Sequence, residues 1–189
     1  MPLSYPKTLL TIISLSLLFV SGCISGNSTI YSIVRDAELK AGAAIPAPSD
    51  DVILTVTGLV GAENVAGKIE MDLATIESMQ VVEYTVTDPF VEKPITYRGV
   101  LMSDLFDLWQ VDPQATTLEV VALNDYQVSV PLKEMYDYPV FFAFMADGQY
   151  MEVSYRGPAM LVYPYDDRRF DPAVYDNFWV WQIKSIDVR

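Results

Sequence analysis

The stretch Val140–Pro164, VFFAFMADGQYMEVSYRGPAMLVYP, sets the tightest limit on how this chain can fold. Two β-prone runs, Val140–Met145 and Gln149–Val153, flank Asp147-Gly148, a dipeptide suited to the positive φ angles of a two-residue hairpin turn. The spacing predicts two neighbouring antiparallel strands. Gly157-Pro158 then interrupts the pattern, because glycine admits unusual φ and proline lacks a backbone donor, and Ala159–Tyr163 is expected as a third apolar strand.

The N-terminus reads as an export signal. Lys7 precedes an apolar run, Thr8–Val20, too short to span a bilayer comfortably but suited to a secretory leader. Val20-Ser21-Gly22-Cys23 resembles the lipobox of bacterial lipoproteins, which implies cleavage after residue 22 and lipidation of Cys23. A membrane partner through that lipid anchor is therefore expected, on the periplasmic or cell-surface side. Stable anchoring needs more than one acyl chain. Such cleavage removes Lys7, one of 12 basic residues, and none of the 25 acidic ones, so the net charge moves from −13 to −14. An acid excess of this size excludes nucleic acid as a partner, since phosphate binding needs clustered Lys and Arg.

Cys23 is the only cysteine, so no intramolecular disulfide can form, and the chain has no histidine. Ser-His and Cys-His catalysis and the commonest zinc ligand are thereby removed. No metal site is expected.

Residues 23–50 read as a lipidated, mobile tether containing a short amphipathic helix at Ile30–Leu39, and residues 51–189 as the folded domain. Val52–Val60 is the first expected strand. Asp72 is a plausible cap for a helix in which Leu73, Ile76 and Met79 share a face. In Val81–Thr87, Val82, Tyr84 and Val86 alternate with Glu83, Thr85 and Thr87, the pattern of a strand buried on one side. Ile95–Arg98 is read as a short extended piece with Gly99 at a turn, and Ser103 as a helix cap. Thr117–Leu123 and Tyr126–Val130 form a strand pair about Asn124-Asp125, Pro131 and Asp171-Pro172 open brief helices, and Trp179–Val188 is the closing strand. Short strands and short helices without βαβ spacing indicate a single compact α+β domain with mixed, largely antiparallel sheets.

Four segments in order, YRGVLMSDLF at Tyr97–Phe106, LNDYQVSVPLKEM at Leu123–Met135, ADGQYMEVSYRGPAMLVYP at Ala146–Pro164 and WVWQIKSIDV at Trp179–Val188, resemble successive blocks of the sulfite-oxidase-type molybdopterin-binding domain. The resemblance spans about Asp51–Arg189. It implies that family's compact α+β fold and a molybdenum held by a cofactor dithiolene and one protein cysteine, in the region corresponding to Glu83–Asp88. Here that region reads EYTVTD. No sulfur donor stands there, and soft thiolate ligation is not imitated by threonine or glutamate. The resemblance also implies cytoplasmic cofactor loading and a twin-arginine leader, whereas Met1–Lys7 contains no arginine. Met160 occupies a position where the enzymes of the family commonly carry arginine.

The candidate ligand pocket comprises Tyr97, Arg98, Asn124, Asp125, Tyr126, Arg156, Gly157 and Pro158. Arg98, Arg156, Arg168 and Arg169 are suited to grip an anion, the competing reading being that each pairs with a neighbouring carboxylate. Arg156, beside Gly157, is the strongest of them. Tyr126, Tyr155, Tyr163, Tyr165, Trp179 and Trp181 are suited to line an apolar pocket or to pack in the core. Asp166, Asp167, Asp171 and Asp176 lack the spacing and glycine of a calcium loop. The expected function is a non-catalytic, membrane-anchored lipoprotein whose domain binds a small ligand or an envelope protein, with no cofactor. The alternatives are a molybdopterin-dependent oxidoreductase with an altered metal site and an assembly subunit.

Overall fold

Alternating burial along the strands builds two sheets around one apolar core. The computed structural model describes Met1 and residues 30–166 and 170–189, so Cys23, the leader, Asp167, Arg168 and Arg169 lie outside the described residues. The first sheet runs β1 (Ser32–Arg35), β4 (Val81–Asp88), β5 (Lys93–Leu101), β8 (Phe141–Ala146) and β10 (Met160–Val162), all antiparallel, with β9 (Gln149–Tyr150) also on β8. The second runs β3 (Ile69–Asp72), β2 (Val52–Gly58), β11 (Ile183–Val188), β6 (Thr117–Ala122) and β7 (Gln127–Pro131). Among the described residues, only β11 and β2 pair in parallel. The described residues also form four short α-helices, α1 (Leu73–Glu77), α2 (Met102–Trp109), α3 (Leu132–Asp137) and α4 (Pro172–Tyr175), in a mixed α+β domain.

The hairpin expected at Asp147-Gly148 is present, with φ of 48° and 77° at its two turn residues, although β9 ends at Tyr150 instead of Val153. Asp72 caps α1, accepting from the Thr75 N–H at 2.8 Å, and Asp171 caps α4 through the Ala173 N–H at 3.0 Å. The third strand, β10, pairs with residues 141–143 of β8, on the same edge as β9 and opposite β5.

Four local expectations change. Residues 32–35, read as part of a helix in the tether, form an edge strand on β4, and Ile45 is buried, so the folded body extends N-terminal to Asp51. All four β1 side chains are exposed, which is why no amphipathic period marks the strand. Gly99 is not at a turn. It lies inside β5 at a register shift against β8, where a Cβ would stand 2.2 Å from the Phe142 carbonyl oxygen. Helix α2 starts at Met102 without a side-chain cap, so Ser103 lies inside it. Finally, the closing strand begins at Ile183. Residues 179–182 form a connector that bridges the sheets, with the Val180 carbonyl accepting from Leu161 N–H at 3.0 Å and the Gln182 carbonyl from Leu123 N–H at 2.8 Å.

Candidate functional site

The period of β4 carries its buried face from Val82, Tyr84 and Val86 on to Asp88, which is fully buried. Neighbouring β5 aims Tyr97 into the same interior, and the Tyr97 hydroxyl donates to Asp88 Oδ2 at 2.7 Å. The N–H groups of Phe90 and Val91 donate to Asp88 Oδ1 at 2.9 and 3.0 Å. The fourth partner arrives from sequence far away. Arg156 pairs through Nη1 with Asp88 Oδ2 and through Nη2 with Oδ1 at 3.3 Å, and its Nη1 also donates to the Tyr97 oxygen at 3.0 Å.

The loop that delivers Arg156 needs glycine. A Cβ at Gly157 would lie 1.8 Å from the Met151 carbonyl oxygen, and Gly157 N–H donates to the Glu152 carbonyl at 2.9 Å. The Gly157-Pro158 peptide is cis. Aromatic rings close over the guanidinium: its central carbon lies 4.3 Å from the ring centre of Trp181, 5.1 Å from Tyr155 and 5.7 Å from Phe90.

Burial works against charge on both members of the pair, yet their contacts outweigh it. Desolvation alone would push the Asp88 carboxyl up, but the bonds from Arg156, Tyr97 and the Phe90 N–H together hold it below the ordinary carboxylate range. Arg156 is likewise raised, because its bond to Asp88 overcomes the desolvation that would lower it. Tyr97 is pushed up by burial first and by its hydrogen bond to Asp88 second. Thus the arginine best placed to grip an anion is already neutralised by its own chain.

Beside this cluster lies a cleft of about 250 Å³ whose lining includes Phe90, Asn124, Tyr126, Asp176, Trp179 and Trp181. Asn124 Oδ1 accepts from the Tyr126 N–H at 3.1 Å, and Asp125 takes a positive φ of 64°, so backbone geometry accounts for the Asn-Asp pair in the turn. Even so, Asn124 and Tyr126 face the cleft. Asp125 does not line it and instead pairs with Lys184 at 2.5 Å.

The structure therefore brings together part of the predicted pocket. Tyr97, Arg156, Gly157 and Pro158 belong to the buried cluster and its loop, and Asn124 and Tyr126 to the adjoining cleft. Arg98 separates from them because adjacent residues on a strand point to opposite faces. It lies directly across from Glu83 and pairs with it at 2.6 Å. Tyr163 is fully buried among Phe170, Tyr175 and Phe178, and so belongs to the core. Asp88 and Phe90 stand outside the pocket expected from sequence, and Asp176, weighed there only as a calcium ligand, lines the cleft. For Asp88 the signal was available, since the alternation from Val82 to Val86 extends to it in register.

The donor set does not fit a molybdenum centre tied down by a protein thiolate. On β4 Glu83 serves Arg98, Thr85 bonds across to Thr96 at 2.8 Å, the Thr87 N–H donates to Asp166 at 2.7 Å, and Asp88 is saturated by four partners. Among the described residues there is no cysteine and no group of three His, Cys, Asp or Glu side chains placed to hold a metal.

No known protein family matches the chain by sequence, and no curated protein matches it. Among solved structures, the sulfane dehydrogenase SoxCD from Paracoccus pantotrophus superposes with a TM-score of 0.57 over 77% of this chain, at 19% identity. The fold is sulfite-oxidase-like. The chain spans 40% of the SoxCD chain it matches, and at that identity the likeness is one of architecture. Among the described residues, no helix is long and apolar enough to cross a membrane.

Proposed function

We propose that this chain is an exported lipoprotein, anchored through Cys23, whose sulfite-oxidase-like domain is a non-catalytic binding module. The single observation that carries this reading is the commitment of β4: where the family resemblance implies a thiolate, the strand has no sulfur, and Glu83, Thr85 and Asp88 are each bonded to side chains of their own chain. The aromatic cleft beside Arg156 is the surface such a module would use, for a small ligand or a segment of an envelope protein. Two measurements test the reading. Native protein purified from its membrane is expected to contain no stoichiometric molybdenum or pterin, and metabolic labelling with a fatty acid is expected to mark the chain but not its Cys23→Ser variant. A tightly bound molybdenum centre that turns over would overturn the non-catalytic role. A wild-type chain that takes up no fatty acid, or a Cys23→Ser chain labelled equally, would overturn the anchor.

The likeness to a sulfane dehydrogenase favours a second reading, an oxidoreductase with an altered metal environment. The same metal analysis separates the two.

A further inference from the structure

We infer that the aromatic cleft takes a small organic cation, of the methylated or quaternary ammonium class. This deepens the binding-module reading and rests on it. Four aromatic residues contribute to the lining: Phe90, Tyr126, Trp179 and Trp181. They do not stack in one plane. The Phe90 ring meets Trp181 at 82° with centres 4.9 Å apart, and Trp179 at 68° with centres 6.3 Å apart. Rings set at steep angles present negative π density from more than one direction, the arrangement that favours a diffuse cation.

Charge points the same way. Asp176 is the one ionisable acid of the lining, and among the described residues the lining includes no lysine or arginine. Among the described residues, Arg156 is compensated by Asp88 inside the domain and Lys184 by Asp125 on the neighbouring turn. An anion would find no cationic partner in that lining. A hard divalent cation would find one carboxylate where it needs six or more oxygens. With a net charge of −13, the chain also draws cations toward its surface at long range.

The molecule carries an internal precedent. Trp181 and Phe90 already hold a guanidinium, that of Arg156, within cation–π distance. The cleft volume of about 250 Å³ lies just under the range for drug-sized ligands, which suits a compact head group.

The test compares charge with shape. The full chain, in a non-ionic detergent at fixed ionic strength, is titrated with tetramethylammonium, with choline and with 3,3-dimethylbutan-1-ol, the neutral isostere of choline, and followed by tryptophan fluorescence and calorimetry. Saturable binding of both cations is expected, about tenfold tighter for choline than for its isostere. Asp176→Asn, which preserves an acceptor for the Tyr165 hydroxyl, and Tyr126→Ala, at an exposed rim position, are each expected to weaken choline about tenfold. An unchanged melting temperature in these variants assigns the loss to the cleft. Equal affinity for the isostere, no saturation by either cation up to about 50 mM, or indifference to both substitutions overturns the inference. Any of these results with molybdenum-free protein leaves the binding-module reading standing, whereas a loaded, active metal centre removes that reading itself.

Discussion

Arg156 and Asp88, 68 positions apart, form an ion pair in which the arginine is 2% exposed and the aspartate 0%. Such a pair returns little net stability, because desolvating two charges costs about as much as their attraction supplies, but breaking it leaves an uncompensated buried charge. It therefore fixes arrangement more than it adds energy. The loop at Met151–Ala159, the end of β4 and the connector at residues 179–182 are all bound to it, directly or through Trp181 and the Gln182 N–H bond to the Arg156 carbonyl.

Arg156→Met is accordingly expected to lose about 3–5 kcal/mol of stability, by stranding the Asp88 carboxylate. Asp88→Asn/Arg156→Met should cost less than the sum of the two single changes, with a coupling of about 1–3 kcal/mol. Denaturant unfolding of the four-member cycle measures this. Strict additivity would show that the pair is not a unit.

At Gly99 the obstacle is backbone, so it cannot rotate away. Besides the Phe142 oxygen at 2.2 Å, a new Cβ would meet the Ala143 Cα at 2.6 Å. Gly99→Ala is expected to destabilise the domain by about 3 kcal/mol, lowering Tm by about 6–12 °C. Gly148→Ala is the contrast: φ is +77° but a Cβ there meets nothing within 4 Å, so only the left-handed backbone cost of about 1–2 kcal/mol is expected. Equal losses in thermal melts would contradict this account of the bulge.

These two sites also mark how far the architecture can be read from the chain. The Asp147-Gly148 turn, the caps at Asp72 and Asp171 and the alternating face of Val82, Tyr84 and Val86 are local, and local chemistry decides them. The bulge at Gly99 is made by β8, whose Ala143 lies opposite it from 44 residues away, and β1 exists only because β4 offers it an open edge. Neither leaves a periodic trace in sequence. The same holds for the site. Residue parity makes Asp88 inward-facing, but its partner is chosen by how the Gly157 loop crosses beneath the connector, which no spacing along the chain encodes.

Acid should unfold this protein through its buried carboxylates. Burial of Asp72 opposes its charge, yet bonds from Thr75 and Ser49 outweigh that and hold its carboxyl well below the usual range, as the partners of Asp88 do there. Between the folded and unfolded pKa values the unfolded chain binds more protons, so stability rises with pH across that window. The contribution is whole above the unfolded value of about 4 and is lost as pH falls through the folded values. Tm is expected to be nearly level from pH 7 to 5 and to drop steeply below about pH 4. In Asp72→Asn the drop should be shallower and Tm at pH 7 lower, by about 2–4 °C for a loss of about 1 kcal/mol.

Asp104 runs in the opposite sense. It sits in the first turn of α2, where a carboxylate is ordinarily favoured by the helix dipole, but burial raises its pKa and the neighbouring charge of Asp107 raises it further. Desolvation wins over the dipole. A folded pKa above the unfolded one means stability that is complete below the unfolded value and lost as pH rises through the folded value. At pH 7 the charge on Asp104 therefore works against the fold. Asp104→Asn is expected to raise Tm at pH 7 by about 1–3 °C, a gain that shrinks toward zero below about pH 4, where the wild-type side chain is protonated in both states. Asp107→Asn should give a smaller gain of the same sign, since it removes only the second cause. Thermal melts across this pH range decide the matter, and a gain for Asp104→Asn that persists undiminished in acid would show that its origin is packing and not charge.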